Sequence, residues 1–510
     1  MTRLINADGR DVTSQTLEAV WKAHGSGDIA KAATVTTSTG LTAYDLEAPA
    51  KNLYPVLTPI RNRIPRVTKS SGAGTAANWK EVTSISGMST LPAMAWVAEG
   101  QRAGRMSLVT ADRAASYVTQ GLETDVSFEA QSAGAGFEDA RAMAGTRLLQ
   151  QVMILEEYSI LGGNRDVALG TPVTPTVSNA GTGGTISNAT YNVYVLALTF
   201  EGYLMATVAN GVKRQITITG QDSKTYTVNG GSSKASAAGS TTTTGTTSTI
   251  SASTTPIKGA FAYAWYVGTS GNEKLEAITT VAHVKLTALA GTGAAFSGIS
   301  DGSTDRSNNS SLAYNGLLYA AANSALAYYK ALANGTPGTG TPLTASGRGS
   351  VVEIDTALKS FWDNYRLSPE EIYVNSQELM NITTKVLTGA SSAPLVRFNL
   401  DANAKDPSFV AGQVVGFYFN PFSLNGNQII PIRLHPSMPA GTIFFWAQNL
   451  PAQYESANVP QVAQVQCRRD YYQIDWAPIT RANETGVYCE SVLKVYAPFA
   501  LGMITNIADG

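Results

Sequence analysis

Apolar residues between positions 137 and 161 recur with the spacing of a single helix face. They are Phe137, Ala140, Ala144, Leu148, Val152, Leu155 and Tyr158. Steps of three and four residues return to one side of an α-helix. Glu138 and Asp139 suit the dipole at its start, and Gly162 with Gly163 supplies a stop. The pattern predicts a helix over 137–161, about 37 Å long at 1.5 Å per residue, which we call the spine helix.

A different periodicity precedes this helix. Between Asn78 and Phe128, apolar and polar residues alternate in NWKEVTSI and ASYVTQGLETDVSF, on either side of a middle containing glycine, methionine and proline. A period of two indicates strands, so the pattern predicts a long two-stranded hairpin with a flexible tip. An isolated pair of strands is marginally stable in water, and we therefore expect the hairpin to need a partner surface.

The segment NLYPVLTPIRNRIPRV, at 52–67, combines three prolines with three arginines. Each proline fixes φ and removes a backbone donor, which predicts an extended, irregular tract. Arg61, Arg63 and Arg66 admit two interpretations, a phosphate-binding stripe or pairing with carboxylates of a neighbouring surface. The second is favoured, because the forked guanidinium suits carboxylates and no aromatic series for stacking bases accompanies it.

The composition changes between Arg165 and Ser300, where Thr, Ser, Gly, Ala and β-forming residues predominate. Short apolar stretches separated by turn signals predict a small β-sandwich. Within it, the run from Ser232 to Thr255 is almost wholly Ser, Thr, Ala and Gly, which predicts a polar, solvent-exposed loop. Residues 1–51 are also polar and predict an extended arm that leans on another surface.

Helical patterning returns at 310–335, although an Asn-Gly pair weakens its start. Ser350 and Glu353 have the spacing of a capping box, which predicts a helix followed by a strand at EIYVN and a second helix capped by Ser376. The remainder is rich in predicted strands, among them IIPIRL, GTIFFWA and YYQIDWA.

Composition narrows the class of protein. The chain has 510 residues and a formal charge of −1, and 14% of its residues are charged, against about 25% in typical soluble domains. The near-neutral charge therefore predicts no strong electrostatic attraction to nucleic acid or lipid. Cys467 and Cys489 are the only cysteines, which favours a reducing cytosolic origin and leaves their pairing open. Without a secretory start or a long apolar run, we expect a soluble, unsecreted protein.

Signals of catalysis are sparse. His24, His283 and His435 are scattered and show no metal-ligand spacing, so a structural role is predicted for each. No phosphate-binding glycine motif with its lysine and no nucleophile elbow occurs. Glu156 and Glu157 are adjacent and do not face each other on a helix, so we expect a solvated or interface position. The sequence predicts no catalytic residue, no metal site and no cofactor.

Taken in order, these elements resemble the major capsid proteins of tailed double-stranded DNA bacteriophages, the Hong Kong 97-type fold. LTPIRNRIP resembles the segment leading into that family's extended loop, AWVAEG a pattern within the loop, and LEEYSILGGN the end of its spine helix. SVVEIDTALKSFWDNYRLSPEEIYVNSQELMNI resembles the helix, strand and helix of its axial domain, and IIPIRLHPSMPAGTIFFWA the following strands. The resemblance covers most of residues 50–165 and 305–510.

The resemblance implies an α+β capsid fold with an inserted all-β, immunoglobulin-like sandwich. The implied divisions are the N-terminal arm at 1–52, the leading segment and extended hairpin loop at 53–128, the spine helix of a peripheral domain at 129–164, the inserted sandwich at 165–302, the axial domain at 303–454, and peripheral strands with a return to the axial domain at 455–510. No fused scaffolding region is evident before the arm, which implies a separate scaffold protein.

The function implied by the resemblance is structural, not enzymatic. The chain would be a major capsid protein that self-assembles as hexamers and pentamers into the icosahedral shell of a virion, built in the host bacterial cytoplasm. Its implied partners are further copies of itself, the scaffold, a portal and a decoration protein, and packaged double-stranded DNA held without sequence specificity; no membrane is implied. The alternatives are an encapsulin-like nanocompartment and an adhesin or glycan-binding protein built on the sandwich.

Contacts between subunits are expected at Arg61, Arg63, Arg66, Lys80, Trp96 and Glu99. Some members of the family join subunits through a lysine and an asparagine, assisted by a glutamate, and Asn483 and Glu490 lie at matching places. The loop tip carries Arg102 and Arg105 where the lysine would stand, and arginine stays protonated. Lys80 is then the remaining nucleophile, and self-crosslinking is not expected.

Overall fold

The computed structural model describes residues 58–69, 74–85, 96–102, 108–134, 139–220, 223–299, 302–309, 312–346, 349–388, 415–423, 428–450, 461–478 and 480–508. The predicted arm, Arg105 and much of the predicted loop tip lie outside them. The described residues form many strands and few helices around one large hydrophobic core and smaller clusters, which confirms the predicted mixed α and β character. No helix among them is long and apolar enough to cross a membrane.

The predicted hairpin is present, with a different second strand. After β1 (Arg66–Thr68), strands β2 (Ala76–Ile85) and β3 (Leu108–Ser116) pair antiparallel as a separate two-stranded sheet. The prediction of a strand continuing to Phe128 in the same hairpin is wrong. The chain leaves the hairpin after β3, and β4 (Val118–Ser127) pairs with a C-terminal strand instead. Alternation runs on through both strands, so the pattern alone does not mark the change of partner.

The spine helix is confirmed and begins slightly later than predicted. A short helix α1 (Phe128–Gly134) precedes it, and α2 (Ala140–Gly162) runs for 23 residues. Asp139 is its N-cap, since one carboxylate oxygen accepts the backbone N–H groups of the second and third residues after it at 3.0 and 3.2 Å. The helix ends at Gly162, where a Cβ would come within 2.1 Å of Phe200.

The spine helix packs on a four-stranded sheet. Strands β19 (Ala463–Asp475) and β20 (Ala482–Val495) are its long central members, in the order β1, β19, β20, β4. β1 runs parallel to β19, and the remaining pairs are antiparallel. The helix α2 packs against β4 and β20. This arrangement brings the proline and arginine tract, the spine helix and the C-terminal strands together.

Two larger sheets and one two-stranded sheet form between the spine helix and residue 286. Their elements are β5 (Thr176–Ala180), β6 (Thr190–Leu198), α3 (Phe200–Met205), β7 (Gln215–Thr219), β8 (Thr225–Asn229), β9 (Gly239–Thr242), β10 (Thr249–Ser253), β11 (Ala262–Gly268), β12 (Lys274–Thr279) and β13 (His283–Leu286). One sheet has the order β13, β10, β5 and the other β12, β11, β6, β9, all antiparallel, while β7 and β8 form a separate pair. Apolar residues from both larger sheets share one core.

The prediction of an exposed loop at 232–255 is wrong. This run contains β9 and β10, and many of its hydroxyl residues are buried. The Ser233 and Ser236 hydroxyls accept backbone N–H groups of β6 at 2.8 and 2.9 Å. Small hydroxyl side chains can therefore enter this interior because they satisfy strand backbone that would otherwise be unpaired. Ile250 supplies apolar packing and is 1% exposed.

The C-terminal half is built on a six-stranded mixed sheet. Its elements are α4 (Leu317–Asn323), β14 (Tyr328–Ala331), α5 (Val352–Tyr365), β15 (Glu371–Val374), α6 (Ser376–Thr388), β16 (Phe417–Asn420), β17 (Gln428–Leu434), β18 (Ile443–Trp446) and β21 (Leu501–Thr505). The strand order is β14, β21, β18, β15, β17, β16. β21 crosses back into this sheet after β20 leaves the other, which joins the two sheets through one hydrophobic core.

Three local predictions in this half need correction. The helical pattern at 310–335 gives only α4, because β14 pairs in parallel with β21. The capping box is absent, since Ser350 bonds the Asp355 carboxylate at 2.6 Å and Val351 is the N-cap of α5. At the start of α6 the cap is the side chain of Asn375, which accepts the Gln377 N–H at 2.9 Å.

Candidate functional site: a buried charged cluster

The adjacent glutamates of the spine helix are the centre of a buried cluster. Glu156 and Glu157 are 0% and 1% exposed, so the prediction of a solvated or interface position is wrong. Burial of a carboxylate costs several kcal/mol unless it is paired and hydrogen-bonded. The partners come from the proline and arginine tract and from the C-terminal strands, which lie far away in the sequence.

Glu156 binds two arginines at once. Arg61 Nε donates to one carboxylate oxygen and Arg66 Nη1 to the other, both at 2.7 Å. The Tyr471 hydroxyl donates to the same carboxylate, and its ring lies 5.1 and 4.9 Å from the two guanidinium carbons. Burial would lower the pKa of Arg61, but Tyr471 and Glu156 outweigh it and raise that pKa above its usual value. The tract is therefore bound to the spine helix by charge and to β19 by stacking on Tyr471.

Glu157 holds the backbone of the same tract. Its carboxylate accepts the N–H groups of Ile60 and Arg61 at 3.1 and 2.7 Å. His435 Nε2 lies 2.8 Å from it, and His435 Nδ1 accepts the Ser437 N–H at 3.1 Å, so Nε2 is the nitrogen that donates to Glu157. The predicted structural role of His435 is consistent with this geometry.

A third carboxylate, that of Glu371 on β15, binds the remaining arginine of the tract. Arg63 and Arg433 both form ion pairs with it, the latter at 2.5 Å. The Tyr373 hydroxyl donates to its other oxygen at 2.7 Å. Glu371 is buried, whereas the side chains of Arg63 and Arg433 are 39% and 48% exposed. One carboxylate faces two guanidinium groups, which leaves a net positive charge at this surface.

Arg66 extends the cluster to both cysteines of the chain. Its Nη2 lies 2.6 Å from the Asp470 carboxylate, 3.4 Å from Cys467 Sγ and 3.5 Å from Cys489 Sγ. Both cysteines are free and fully buried. Burial alone would raise the pKa of Asp470, but the hydrogen bond and charge of Arg66 hold it below its usual value. The sulfur-to-sulfur hydrogen bond raises the pKa of Cys467 and lowers that of Cys489.

The two sulfurs and the Asp470 carboxylate have the chemistry of a metal-ligand set, with their atoms within 4.8 Å of one another. These same atoms are the ones that contact the Arg66 guanidinium. The guanidinium already supplies a positive charge to them, so a metal ion would have to displace it. The geometry therefore favours a cation supplied by the protein itself at this position.

The other predicted residues lie apart from this cluster. Lys80, Trp96 and Glu99 are exposed, and Trp96 is 83% exposed. Asn483 donates to Gln131 at 2.7 Å, while Glu490 accepts from Arg468 at 2.5 Å and Tyr472 at 3.0 Å. Asn483 and Glu490 are seven positions apart on β20, about 23 Å at 3.3 Å per residue. Within one chain, Glu490 is therefore out of reach of Asn483.

Arg61, Arg63, Arg66 and the two adjacent glutamates stand out in the sequence, but their pairing does not. Glu371, Arg433, Asp470 and Tyr471 were not predicted, and the cysteines were considered only for disulfide content. A usable signal was present in the spine helix, where a pair of glutamates stands among apolar residues. What the sequence could not supply was the pairing, since Arg61 and Tyr471 are 410 positions apart.

No protein-family model and no curated protein matches the sequence. Solved structures to which the chain is similar include phage capsids, the capsid of a GTA particle and an encapsulin. The cyanophage A-1(L) capsid has a TM-score of 0.39 and 9% identity, over 93% of this chain and 99% of that chain. The capsid of the native GTA particle has 0.38 and 9%, over 93% and 100%. The SrpI encapsulin of Synechococcus elongatus PCC 7942 has 0.35 and 7%, over 90% and 93%. These TM-scores lie below 0.5, so the similarity carries no argument about function.

Proposed function

We propose that this chain is the repeating subunit of a closed protein shell, the major capsid protein of a tailed bacteriophage with a double-stranded DNA genome. In this proposal hexamers and pentamers tile an icosahedral capsid, and the chain carries no catalytic activity. The observation that carries it is a pair of apolar surfaces that the described part of the chain leaves exposed, the hairpin with its loop and the edge of the six-stranded sheet. Symmetric assembly covers such surfaces and repeats each contact many times, so that modest contacts sum to a stable container.

The first surface is the hairpin and its loop. β2 and β3 form a sheet of only two strands, and Trp79 Nε1 fastens its base by donating to the Val495 carbonyl at 3.0 Å. Trp96 and Val97 in the loop expose apolar side chains. A two-stranded sheet is marginal without support, and consecutive exposed apolar side chains such as Trp96 and Val97 suit a surface that a partner covers. A neighbouring copy would provide both the support and the cover.

The second surface is the edge of the six-stranded sheet. β16 is the last strand, and Phe417, Phe419 and Ile429 expose 67%, 53% and 61% of their surfaces. Phe419 is the direct partner of Ile429 across the β16–β17 pair, and Phe417 is two residues away on the same face. An edge strand with an apolar face is a template for association. We propose that a second copy of this chain packs against this edge and covers it.

The residues proposed for contacts between subunits divide into two groups. Lys80, Trp96 and Glu99 are exposed and would contact a neighbour directly, and Arg63 keeps enough exposure to do so. Arg61 and Arg66 are bound to Glu156, so they would act by holding the tract in the position from which the hairpin leaves. Crosslinking through Lys80, Asn483 and Glu490 is not part of the proposal, which implies single-chain bands from assembled particles on a denaturing gel.

The residues between 165 and 302 are proposed to be an immunoglobulin-like insertion on the outer surface. Their two antiparallel sheets share a core distinct from the main one, which suits a module added to a shell subunit. Its role would be to strengthen surface contacts or to bind glycans. A separate scaffold protein, a portal and a decoration protein are proposed partners, and assembly is proposed in the host bacterial cytoplasm. Near-neutral charge is compatible with packaged DNA, which carries its own counterions.

An encapsulin-like compartment is the second candidate, because the uncovered surfaces suit any shell. The contents decide between the two. Particles from the native source that contain double-stranded DNA support the capsid, and particles that contain a cargo enzyme support the compartment. An adhesin or glycan-binding protein built on the sandwich would leave the hairpin surface without a role.

Sedimentation velocity of the full chain tests self-association. We expect wild-type protein, with its scaffold, to sediment as large particles and Trp96→Ser to shift to small species. Tyr226→Ser is the matched control, since Tyr226 is an exposed aromatic on β8 in the insertion, and it is expected to assemble normally. Equal sedimentation of wild type and Trp96→Ser would remove the hairpin surface from the proposal.

A further inference from the structure

The only two cysteines of a 510-residue chain meet in the interior. Cys467 lies on β19 and Cys489 on the adjacent antiparallel strand β20, and both are 0% exposed. We infer that Cys467 and Cys489 are a thiol pair that forms an intrachain disulfide by exchange with a small-molecule disulfide such as oxidised glutathione. The inference concerns the covalent state of one chain and does not depend on the proposed shell function.

The positions of the sulfurs permit the bond. They lie within 4.8 Å of each other, and a disulfide requires about 2 Å, so the sulfurs must approach by no more than about 3 Å. Cys467 is opposite Ser491 in the ladder, and the register shifts between Cys467 and Arg469. This irregularity lies beside the pair. The two strands are already neighbours in the sheet.

Arg66 places a positive charge beside the pair. Its Nη2 lies 3.4 and 3.5 Å from the two sulfurs, and a neighbouring cation stabilises the thiolate, which is the nucleophile in exchange. The two distances are nearly equal, so either sulfur can be the one that attacks first.

The exchange has two steps. The thiolate of one cysteine attacks one sulfur of the small disulfide, whose S–S bond breaks, and the first small thiolate leaves and takes up a proton. The other cysteine then loses its proton to water and attacks the protein sulfur of the mixed disulfide, which releases the second small thiolate, and this also takes up a proton. Two protein thiols are oxidised and one small disulfide is reduced to two thiols. Because both sulfurs are buried, the reaction is expected while the chain folds or while β19 and β20 open transiently.

Thiol trapping on the full-length chain tests the inference. The protein is refolded with either oxidised or reduced glutathione, denatured, alkylated with iodoacetamide and measured by intact mass spectrometry. We expect no alkylation after oxidised glutathione and two alkylated cysteines after reduced glutathione. Trypsin cuts after Arg468 and Arg481, so the two cysteine peptides should remain joined only in the oxidised sample. The oxidised chain should also unfold at a higher temperature, and a reductant should reverse this.

Cys467→Ser and Cys489→Ser are the matched controls, because each keeps one sulfur and should give one alkylated or glutathione-bound cysteine. The inference is overturned if both cysteines remain free after refolding in oxidised glutathione. Chains joined to one another through disulfides, or stable glutathione adducts on wild-type protein, would overturn it as well.

Discussion

The charged cluster and the core of the inserted sheets are both buried, but different interactions stabilise them. In the inserted sheets, apolar residues such as Val193, Ile250 and Trp265 fill the space between two strand layers. In the cluster, Glu156 and Glu157 are equally buried and are balanced by arginines, a histidine and backbone donors. Apolar packing depends on volume and tolerates exchange, whereas a buried ion pair depends on every partner. The cluster can therefore fix one position of the tract on the spine helix.

The largest effect is expected from Glu156→Gln. The substitution keeps the shape and removes the charge that Arg61 and Arg66 share, which should lower the free energy of unfolding by about 3–5 kcal/mol. Chemical denaturation followed by fluorescence measures this change. The control is Glu129→Gln, because the exposed pair of Glu129 with Arg481 should contribute less than about 1 kcal/mol. Similar losses of stability in the two variants would mean that the buried ion pairs stabilise the fold no more than an exposed pair does.

Ile250→Ala tests the apolar side of the comparison. Loss of the buried side chain should cost roughly 2–4 kcal/mol, and the loss should be confined to the inserted sheets. Amide hydrogen exchange is expected to accelerate within 176–286 and to remain unchanged in β15 and β18. Ile218→Ala on β7, where the side chain is 38% exposed, is the matched control with little expected change. Equal acceleration throughout the chain would show that the inserted sheets are not a separate folding unit.

Glu201 is a carboxylate without the arginines that the cluster provides. Burial raises its pKa from 4.5 to about 7, so the folded chain holds a proton that the unfolded chain releases between these values. Stability from this group is therefore lost as pH rises from 4.5 through 7. At pH 8, Glu201→Gln should have a free energy of unfolding about 2 kcal/mol higher than that of wild type, after allowance for partial exposure. At pH 4 the two proteins should differ little. Denaturation midpoints at the two pH values measure the difference, and an equal difference at both would contradict the assignment.

Asp470 should show the opposite sign and the smallest effect. Its pKa is held below the usual 3.8 by Arg66 despite burial. Its contribution is therefore present above pH 3.8 and is lost as pH falls below that value. Because the side chain is 41% exposed, Asp470→Asn should cost less than about 1 kcal/mol near neutral pH. The variant should also be less sensitive to acid than wild type, and an unchanged acid transition would contradict this.

The sequence pattern predicted the helices and strands that depend on residues close together in the sequence. The spine helix follows from its apolar spacing and differs from the prediction by three residues at its start, where Asp139 takes the N-cap. The strand EIYVN and the helices on either side of it were predicted in the same way. The strands β3 and β4 share one alternating pattern, and only their different partners separate them. Such partners are set by tertiary pairing.

The buried site was less predictable for the same reason. Adjacent glutamates are expected to be exposed to solvent unless positive charges pair with them. Here the pairing residues Arg61 and Arg66 lie 95 and 90 positions from Glu156 in the sequence. The run of Ser and Thr at 232–255 likewise indicates a loop until its hydroxyls meet the backbone of β6. In each case a polar residue enters the interior because a distant partner satisfies it, and composition alone does not reveal that partner.

Electron microscopy of the purified full-length chain, alone and with candidate scaffold proteins from its own source, tests the central claim most directly. The account predicts closed shells, or rings of five and six subunits, because the hairpin and the edge of the six-stranded sheet would then be covered by neighbouring copies. Dispersed monomers under every condition would contradict it and would leave the inserted sheets as the part to test for glycan binding.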